Sequence, residues 1–413
     1  MVPKFATTQA PRMFLVLHLL VSGLVFSGAL ACNDPEPPTP ADGRTGLSRQ
    51  VEWYDSETKQ LKSAEGQSRY GRQEGPWKEY TPGGEVSGLG SYKAGEKIGE
   101  WLYYYPTGEM ERKEYFVDGM LEGDLEAYFQ DGSIRVRITY KAGEENGLYE
   151  SFYGNGKPNV TILFKEGKEQ GEYKALFSDG TVGHTFHFVD GERVGEERRF
   201  HRDGTLALEL TYEAGTPVGE QVEYFADGVV KSRIPFVDGK RHGEELRFHP
   251  TGEKGSKIDY KEGVRIGVTL GWFPSGVEQL RGNFVDDELH GEYKQFHSNG
   301  NLQVEGQYGK GLRTGKWHTY FDDGTLQQTR SYQQDKVFGW MQEWYQNGQR
   351  RAAGTYVASA LVGPFFLWNE DASLNEQSGV YKQGKRVADL KAPALEVASK
   401  LYADPKPTDK SPF

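Results

Sequence analysis

The feature that most constrains this chain is a glycine that returns every 24 residues. It occurs thirteen times without an insertion, at Gly75, Gly99, Gly123, Gly147, Gly171, Gly195, Gly219, Gly243, Gly267, Gly291, Gly315, Gly339 and Gly363. A fixed period of this length is typical of repeat proteins, in which each unit packs only on its neighbours. The period therefore predicts thirteen tandem units over residues 75–386.

Two further glycine columns place the turns of each unit, with positions numbered as steps after the anchor glycine. A glycine stands at step nine in twelve units, usually after Asp, Asn, Thr or Ser, as in Asn299–Gly300. Such pairs favour tight β-hairpin turns, for which we expect the two-residue type I′ form. Another glycine precedes the anchor by four residues in ten units. Each unit is thus predicted to be strand, tight turn, strand and return turn.

Alternation along the strands predicts two different faces. With a two-residue turn, positions whose steps sum to seventeen face each other, so Tyr308 lies opposite Gly291. Steps two, six, eleven, thirteen, fifteen and seventeen then share a core face, which in one unit contains Trp317, Phe321, Leu326 and Tyr332. Because aromatic residues fill this face in most units, we expect it to be the core.

A second aromatic column, at step five, falls on the opposite face. Its members are Tyr80, Tyr104, Tyr128, Phe152, Phe200, Tyr224, Phe248, Trp272, Phe296, Tyr320, Trp344 and Trp368. They form a candidate surface aromatic ladder whose role is either structural or ligand-binding, since aromatic rings stack well on sugars. A bulge or a three-residue turn would instead move this column into the core.

The fold class expected from these patterns is all-β, an elongated single-layer antiparallel β-solenoid of tandem 24-residue β-hairpin repeats. Two strands per unit at about 4.8 Å each give a rise of roughly 10 Å per repeat. Both ends need protection. Residues 51–74 are interpreted as a degenerate capping repeat, and residues 387–413 as a C-terminal cap and disordered tail. A short helix is expected over Pro393–Ala403, with Leu395, Ala398, Leu401 and Tyr402 clustered.

The N-terminus is typical of an exported protein. Residues 1–31 combine Lys4 and Arg12 with an apolar run and small residues before Cys32, which is the pattern of a signal peptide. Cleavage by an ordinary signal peptidase and lipidation of Cys32 both fit this pattern. Residues 32–50 are proline-rich and predict an extended tether. The expected location is the cell envelope, in the periplasm or at the outer membrane or cell surface, with a lipid anchor at Cys32.

Charge and cysteine content exclude several functions. The formal net charge is −11, and loss of Lys4 and Arg12 with the signal would take it from −11 to −13. Nucleic-acid binding requires a basic surface, so no nucleic-acid partner is expected. A net negative chain favours basic partners. Since Cys32 is the sole cysteine, an intramolecular disulfide and a cysteine zinc cluster are impossible.

No pattern in the sequence predicts catalysis, a cofactor or a metal site. His201, His249 and His297 share step six but recur every 48 residues, about 20 Å apart along the solenoid, which is too far for one metal ion. His184 and His187 lie three residues apart on a strand, and hence on opposite faces. Turn aspartates such as Asp190 are explained by turn formation. We therefore expect a non-enzymatic protein.

The unit Gly291–Gly315, GEYKQFHSNGNLQVEGQYGKGLRTG, resembles the MORN-repeat variant family of bacterial, YwqK-type antitoxin-like repeat proteins. The resemblance covers residues 71–384 and implies an extended single-layer sheet with roles in protein assembly or near lipids. The chain departs from this pattern at its centre. The step-two aromatic residue is replaced there by Glu197, Gln221, Glu245 and Thr269, so the central units are expected to present a different surface.

The function expected from these observations is binding or scaffolding in the cell envelope, through protein–protein contacts along the sheet. Many equivalent weak contacts favour avidity over a single tight site, and self-association along an edge or an end is a further expectation. The alternative is binding of envelope glycans or lipid headgroups by the aromatic ladder. A third hypothesis, implied only by the resemblance, is neutralisation of a partner toxin.

Overall fold

The computed structural model describes residues 46–54, 57–371 and 373–403. They form one open antiparallel sheet of 33 strands and one helix. Adjacent strands in the sheet are consecutive along the chain, apart from short segments that interrupt a strand, so the topology is a continuous meander. The predicted fold class is confirmed. The signal peptide, Cys32, most of the tether and the tail after Ala403 lie outside the described residues. The last four residues of the predicted tether, Leu47–Gln50, belong to the first strand of the sheet and pair with Gly66–Arg69.

The elements in chain order are β1 Leu47–Trp53, β2 Lys62–Arg69, β3 Arg72–Tyr80, β4 Val86–Lys93, β5 Glu96–Tyr104, β6 Met110–Val117, β7 Met120–Leu121, β8 Gly123–Tyr128, β9 Ile134–Lys141, β10 Glu144–Glu145, β11 Gly147–Phe152, β12 Pro158–Lys165, β13 Lys168–Leu176, β14 Val182–Val189, β15 Glu192–Phe200, β16 Leu206–Glu213, β17 Thr216–Tyr224, β18 Val230–Val237, β19 Lys240–Arg241, β20 Gly243–Phe248, β21 Lys254–Lys261, β22 Val264–Trp272, β23 Glu278–Val285, β24 Glu288–Phe296, β25 Leu302–Gly309, β26 Leu312–Tyr320, β27 Leu326–Gln333, β28 Lys336–Val337, β29 Gly339–Trp344, β30 Arg350–Val357, β31 Ala360–Leu367, β32 Gly379–Lys382, β33 Lys385–Ala388 and α1 Ala392–Ala403.

The hairpin turn has three loop residues, so the predicted two-residue type I′ turn is wrong at this place. In the unit that begins at Gly291, the N–H of Gly300 donates to the carbonyl oxygen of His297 at 2.9 Å, and the N–H of His297 donates to Asn301 at 2.8 Å. Among the three loop residues 298–300, only Gly300 has a positive φ, +91°. This is a type I turn followed by a left-handed glycine, a common three-residue hairpin.

A β-bulge next to this turn changes part of the predicted register. Pairing from Gly291 with Tyr308 to Gln295 with Val304 follows the expected sum of seventeen, but Phe296 then pairs with Leu302. The extra residue lies in the return strand. In the next unit Leu326 therefore faces Tyr320 instead of Phe321, and step eleven leaves the core face. Step five stays on the opposite face because its own strand has no insertion.

The two-residue turn with two positive φ values occurs instead at the return between units. Lys310 and Gly311 have φ of +50° and +74°, which is typical of type I′. Where the glycine is replaced, a side chain supports the strained backbone. Asp287 has a φ of +66°, and its Oδ1 accepts hydrogen bonds from the N–H and Nε of Arg265 at 3.0 and 2.9 Å.

The core face is built from large rings that lie over bare glycines. Trp101 is fully buried and forms edge and stacked contacts with Tyr92 and Tyr103 at centroid distances of 5.0 and 6.0 Å. A Cβ atom added to Gly90 would lie 2.0 Å from the indole of Trp101. The same pairing recurs in Gly66–Trp77, Gly282–Tyr293, Gly306–Trp317 and Gly354–Phe365. Where step fifteen is aliphatic, as in Ile138 and Ile162, the aliphatic side chains pack in the core together with the rings of Tyr140 and Phe164.

At the C-terminal end, α1 covers the face that carries step five. Ala394 and Ala398 pack with Trp340, Phe366 and Trp368. The helix lies where it was expected, but Leu395 is 41% exposed, so its place in the predicted cluster is wrong. Residues 394, 397, 398 and 401 share one helix face by their spacing, whereas 395 falls outside it.

Candidate binding surfaces on the two faces

Steps one, three, five, eleven, fourteen and sixteen share what we call the ladder face. Ten of the twelve ladder residues are half-buried, namely Tyr80, Tyr104, Tyr128, Phe152, Phe200, Tyr224, Phe248, Trp272, Phe296 and Tyr320. Trp344 and Trp368 are each 2% exposed, with Trp368 in the cluster formed with α1. Ring surface is therefore partly accessible along the upstream units and closed at the C-terminal end.

Several ladder tyrosines are held by carboxylates of the same face. The hydroxyl of Tyr224 donates to Glu209 at 2.6 Å, and that of Tyr320 donates to Glu305 at 2.7 Å. Tyr80 donates to Glu65 in the same way. The hydrogen bond from Tyr80, together with those from Arg49 and Lys62, lowers the pKa of the Glu65 carboxyl to about 2, and the hydrogen bond to Glu65 raises the pKa of Tyr80 to about 12. These hydroxyl groups already donate within the sheet, so they contribute to its packing.

Step six carries bridges between units that repeat every 48 residues. Six polar aromatic side chains hydrogen-bond to the backbone carbonyl 23 residues further on, at 2.7–3.1 Å: Tyr105, Tyr153, His201, His249, His297 and Tyr345. Phenylalanine occupies the alternate units at Phe129, Phe177, Phe225, Phe273 and Phe321. The three histidines of this column thus have a structural role, because each Nε2 donates to a carbonyl oxygen of the next unit.

Within the part of the chain that the structure describes, no group of three or more His, Cys, Asp or Glu side chains could hold a metal ion. His184 lies in a hydrogen bond with Glu197 at 2.8 Å, while His187 is exposed. Among the same residues, no helix has the length and apolar character needed to cross a membrane.

In the structure, the core face carries steps two, four, thirteen, fifteen, seventeen and twenty-two. This face changes character in its central units. Glu197 stands at step two, where other units carry a ring, and it is fully buried. Its carboxylate lies 2.8 Å from the Nε2 of His184, 3.3 Å from Arg193 and 2.6 Å from Arg199. Burial alone raises the pKa of Glu197, but the His184 hydrogen bond and the Arg199 charge together lower it to about 2. The carboxylate is therefore ionised.

A second copy of this cluster lies 48 residues further on. Glu245 is also fully buried, and its carboxylate lies 2.7 Å from the Nε of Arg247 and 3.1 Å from Arg241. Both clusters have the sequence Arg-x-Gly-Glu-Glu-x-Arg, at residues 193–199 and 241–247. This duplicated heptapeptide is the sequence signal for the clusters, which a search for the 24-residue period alone does not identify.

Local charge on the central core face is opposite to that of the whole chain. From Arg193 to Arg265 this face contains five arginines, Arg193, Arg199, Arg241, Arg247 and Arg265, and three glutamates, Glu197, Glu223 and Glu245. The strip thus has a formal charge of +2 on a chain of −11. The net negative charge of the whole chain favours a basic partner, whereas the positive charge of this strip favours an acidic one.

Replacing Glu197 with Gln will make the protein less sensitive to acid. The carboxyl has a pKa of about 2 in the folded protein and an ordinary value near 4.5 when unfolded, so its contribution is present above pH about 4.5 and lost as the pH falls toward 2. That contribution is up to about 3 kcal/mol. Urea unfolding at several pH values measures it. Glu196→Gln, at a neighbouring carboxylate that is 63% exposed, is the control and should follow the parent protein.

Comparison with solved structures gives matches of very low overall similarity. Against "Crystal Structure of TcdB2-TccC3-Cdc42" the identity is 11% and the TM-score 0.14, with 81% of this chain and 20% of that chain covered. Against the Photorhabdus luminescens Tc holotoxin pore the values are 11% and 0.15, with 84% and 21% covered. The chain thus spans about a fifth of the length of these proteins, and at such TM-scores nothing about function follows.

Comparison with known families gives matches confined to the repeats, while no curated protein matches the chain. Six segments match the MORN repeat variant, at residues 73–94, 97–118, 145–166, 193–214, 217–238 and 289–310. Each begins just after one return turn and ends at the first residue of the next. It therefore contains one complete hairpin of the observed sheet. These six segments are therefore similar to the MORN repeat variant.

Proposed function

We propose that this protein is a non-catalytic binding or scaffolding protein of the cell envelope that contacts a protein partner along its sheet. The observation that carries the proposal is the open 33-stranded meander, which repeats similar hairpins over a long surface. Repeated contacts along one partner add through effective concentration, even when each contact is weak. The MORN repeat matches agree with a role in protein or membrane binding.

The envelope location rests on the N-terminal sequence. A signal peptide over residues 1–31, followed by Cys32 and the proline-rich tract that precedes β1, would tether the sheet at a membrane surface by a lipid on Cys32. A tether of this composition is extended, so the sheet would project away from the membrane toward its partner.

Binding of glycans or lipid headgroups by the ladder face has less support. The hydroxyls of Tyr224 and Tyr320 already donate to Glu209 and Glu305, and Trp344 and Trp368 are buried. A sugar stacked there would meet half-buried rings, and the hydroxyls of Tyr224 and Tyr320 already donate within the sheet.

The proposal predicts that full-length protein, crosslinked mildly in cells, will be recovered from the membrane fraction together with a defined protein partner. Mass spectrometry of the mature N-terminus should show a diacylglyceryl group on Cys32. Cys32→Ser should release the protein from the membrane fraction without changing its circular dichroism spectrum. A monomer without a crosslinked partner would contradict the binding role, and an unmodified N-terminus would contradict the anchor.

A further inference from the structure

We infer that the central core face, from Arg193 to Arg265, binds an acidic segment of the protein partner. This inference rests on the proposed function, and it names the chemistry of the contact. The surface, which we call the arginine strip, consists of Arg193, Arg199, Arg241, Arg247 and Arg265 together with the buried Glu197 and Glu245 and the half-buried Glu223.

The strip presents arginine donors above buried carboxylates. Glu197 and Glu245 are fully buried, whereas the side chains of Arg199 and Arg247 are 51% and 55% exposed. Each cluster has two guanidinium groups and one carboxylate, so one positive charge remains at each. The carboxylates hold the guanidinium groups in place, which lowers the entropy lost when a ligand binds.

Parts of these guanidinium groups have no hydrogen-bond partner among the described residues. Arg247 donates a hydrogen bond from Nε to Glu245 at 2.7 Å. Its two terminal nitrogens form no hydrogen bond with any residue that the structure describes. Arg199 uses Nε and one terminal nitrogen on Glu197, which leaves its other terminal nitrogen for a ligand. Charge-assisted hydrogen bonds from arginine to carboxylates are among the stronger polar contacts in proteins.

The strip is also where the core face lacks its covering rings. Upstream, the indole of Trp101 lies across the strand before it, above Gly90. In the central units the same step is occupied by Glu197, Gln221, Glu245 and Thr269, so polar groups replace the rings. Buried polar atoms there are incompletely paired, since Ser232 is 3% exposed and its hydroxyl has no partner among the described residues.

The two clusters are spaced for a bivalent contact. Glu197 lies in β15 and Glu245 in β20, four strand positions apart, which corresponds to about 19 Å. An extended peptide covers that distance with about six residues. An acidic segment that reaches both clusters gains from the effective concentration of its second contact.

A protein segment fits the charge distribution better than an anionic membrane. Without the strip's +2, the remainder of the chain would have a net charge of −13, since −11 minus 2 is −13. A broad anionic surface that contacts more than the strip would also meet carboxylates upstream on the same face, such as Glu145 and Glu169. A narrow acidic peptide meets the arginines alone, and charge complementarity of this kind sets partner choice.

The test measures binding of a fluorescent polyglutamate peptide to the mature protein at low salt. R199Q/R247Q should weaken binding about tenfold or more, with each single variant intermediate, and added salt should weaken binding of the parent protein. The control is R137Q/R281Q, which removes two arginines of the ladder face that are 42% and 50% exposed. It changes the net charge equally and should bind as the parent does.

Equal loss in both double variants would overturn the inference, because the contact would then be non-specific. Binding to vesicles of phosphatidylcholine and phosphatidylglycerol, lost in R199Q/R247Q and with no peptide bound, would assign the strip to a membrane instead. Partner crosslinking separates this inference from the proposed function. If R199Q/R247Q still captures the native partner in full, the strip is not its site, and the binding role remains.

Discussion

Replacing Trp101 with Ala will lower the free energy of unfolding of the N-terminal units by about 3–5 kcal/mol, the usual range for removal of a buried tryptophan. Trp101 is fully buried, contacts Tyr92 and Tyr103 and lies beneath the ammonium group of Lys97 at 4.0 Å. Because units contact only their neighbours, the effect should be local. Hydrogen exchange should increase most in β3 to β6 and little beyond β12.

The partner of this ring provides a second, independent check. A Cβ at Gly90 would lie 2.0 Å from the indole, so Gly90→Ala should destabilise the parent protein but have little effect in the Trp101→Ala background. Gly154→Ala is the matched control, since a Cβ there meets nothing within 4 Å. Additive effects of the Gly90 and Trp101 substitutions would show that the ring does not depend on the glycine.

Ala398→Arg should detach α1 and open the C-terminal units. Ala398 is 1% exposed and lies in the cluster with Trp340, Phe366 and Trp368. An arginine there cannot be accommodated without moving the helix, because a buried unpaired charge costs several kcal/mol. Undocking also removes the hydrogen bond from the Nε of Arg350 to the carbonyl oxygen of Leu401, 2.9 Å long. Amide exchange in residues 339–388 should rise about tenfold or more.

Leu395→Arg is the control for this variant, because Leu395 is 41% exposed on the other side of the same helix. It should leave exchange unchanged. If Ala398→Arg also behaves like the parent protein, α1 does not protect the ladder face in solution. Ala398→Arg should in addition self-associate in gel filtration, since the opened face exposes Trp368 and Phe366.

Much of the core could be predicted from single columns of the sequence. The pairing of Tyr308 with Gly291 follows from the positions of the turns and period-two alternation, and both act between residues close in sequence. Leu326 was misplaced because the glycine at step nine fits both a two-residue and a three-residue hairpin turn. The choice between them adds a bulge and moves step eleven to the other face.

The candidate surfaces, too, could be predicted only in part from the sequence. The loss of rings at Glu197 and Glu245 is evident in the sequence, but their partners are not, since His184 and Arg193 reach Glu197 from the preceding unit. Likewise, the composition of α1 predicts a helix, while its packing with Trp340, Phe366 and Trp368 depends on where that helix docks. Contacts between units involve side-chain directions that a one-dimensional pattern does not contain.

By itself, the sequence determined the repeat, the antiparallel sheet and the existence of two unlike faces, because a gapless 24-residue period and a two-residue alternation specify backbone pairing locally. Only the tertiary structure decided which side chains are covered and which remain open. It placed two buried glutamates beneath exposed arginines on a chain of net negative charge. The reason is physical: burial and electrostatic potential depend on all neighbours in space, whereas turns and strands depend mainly on neighbours in the chain.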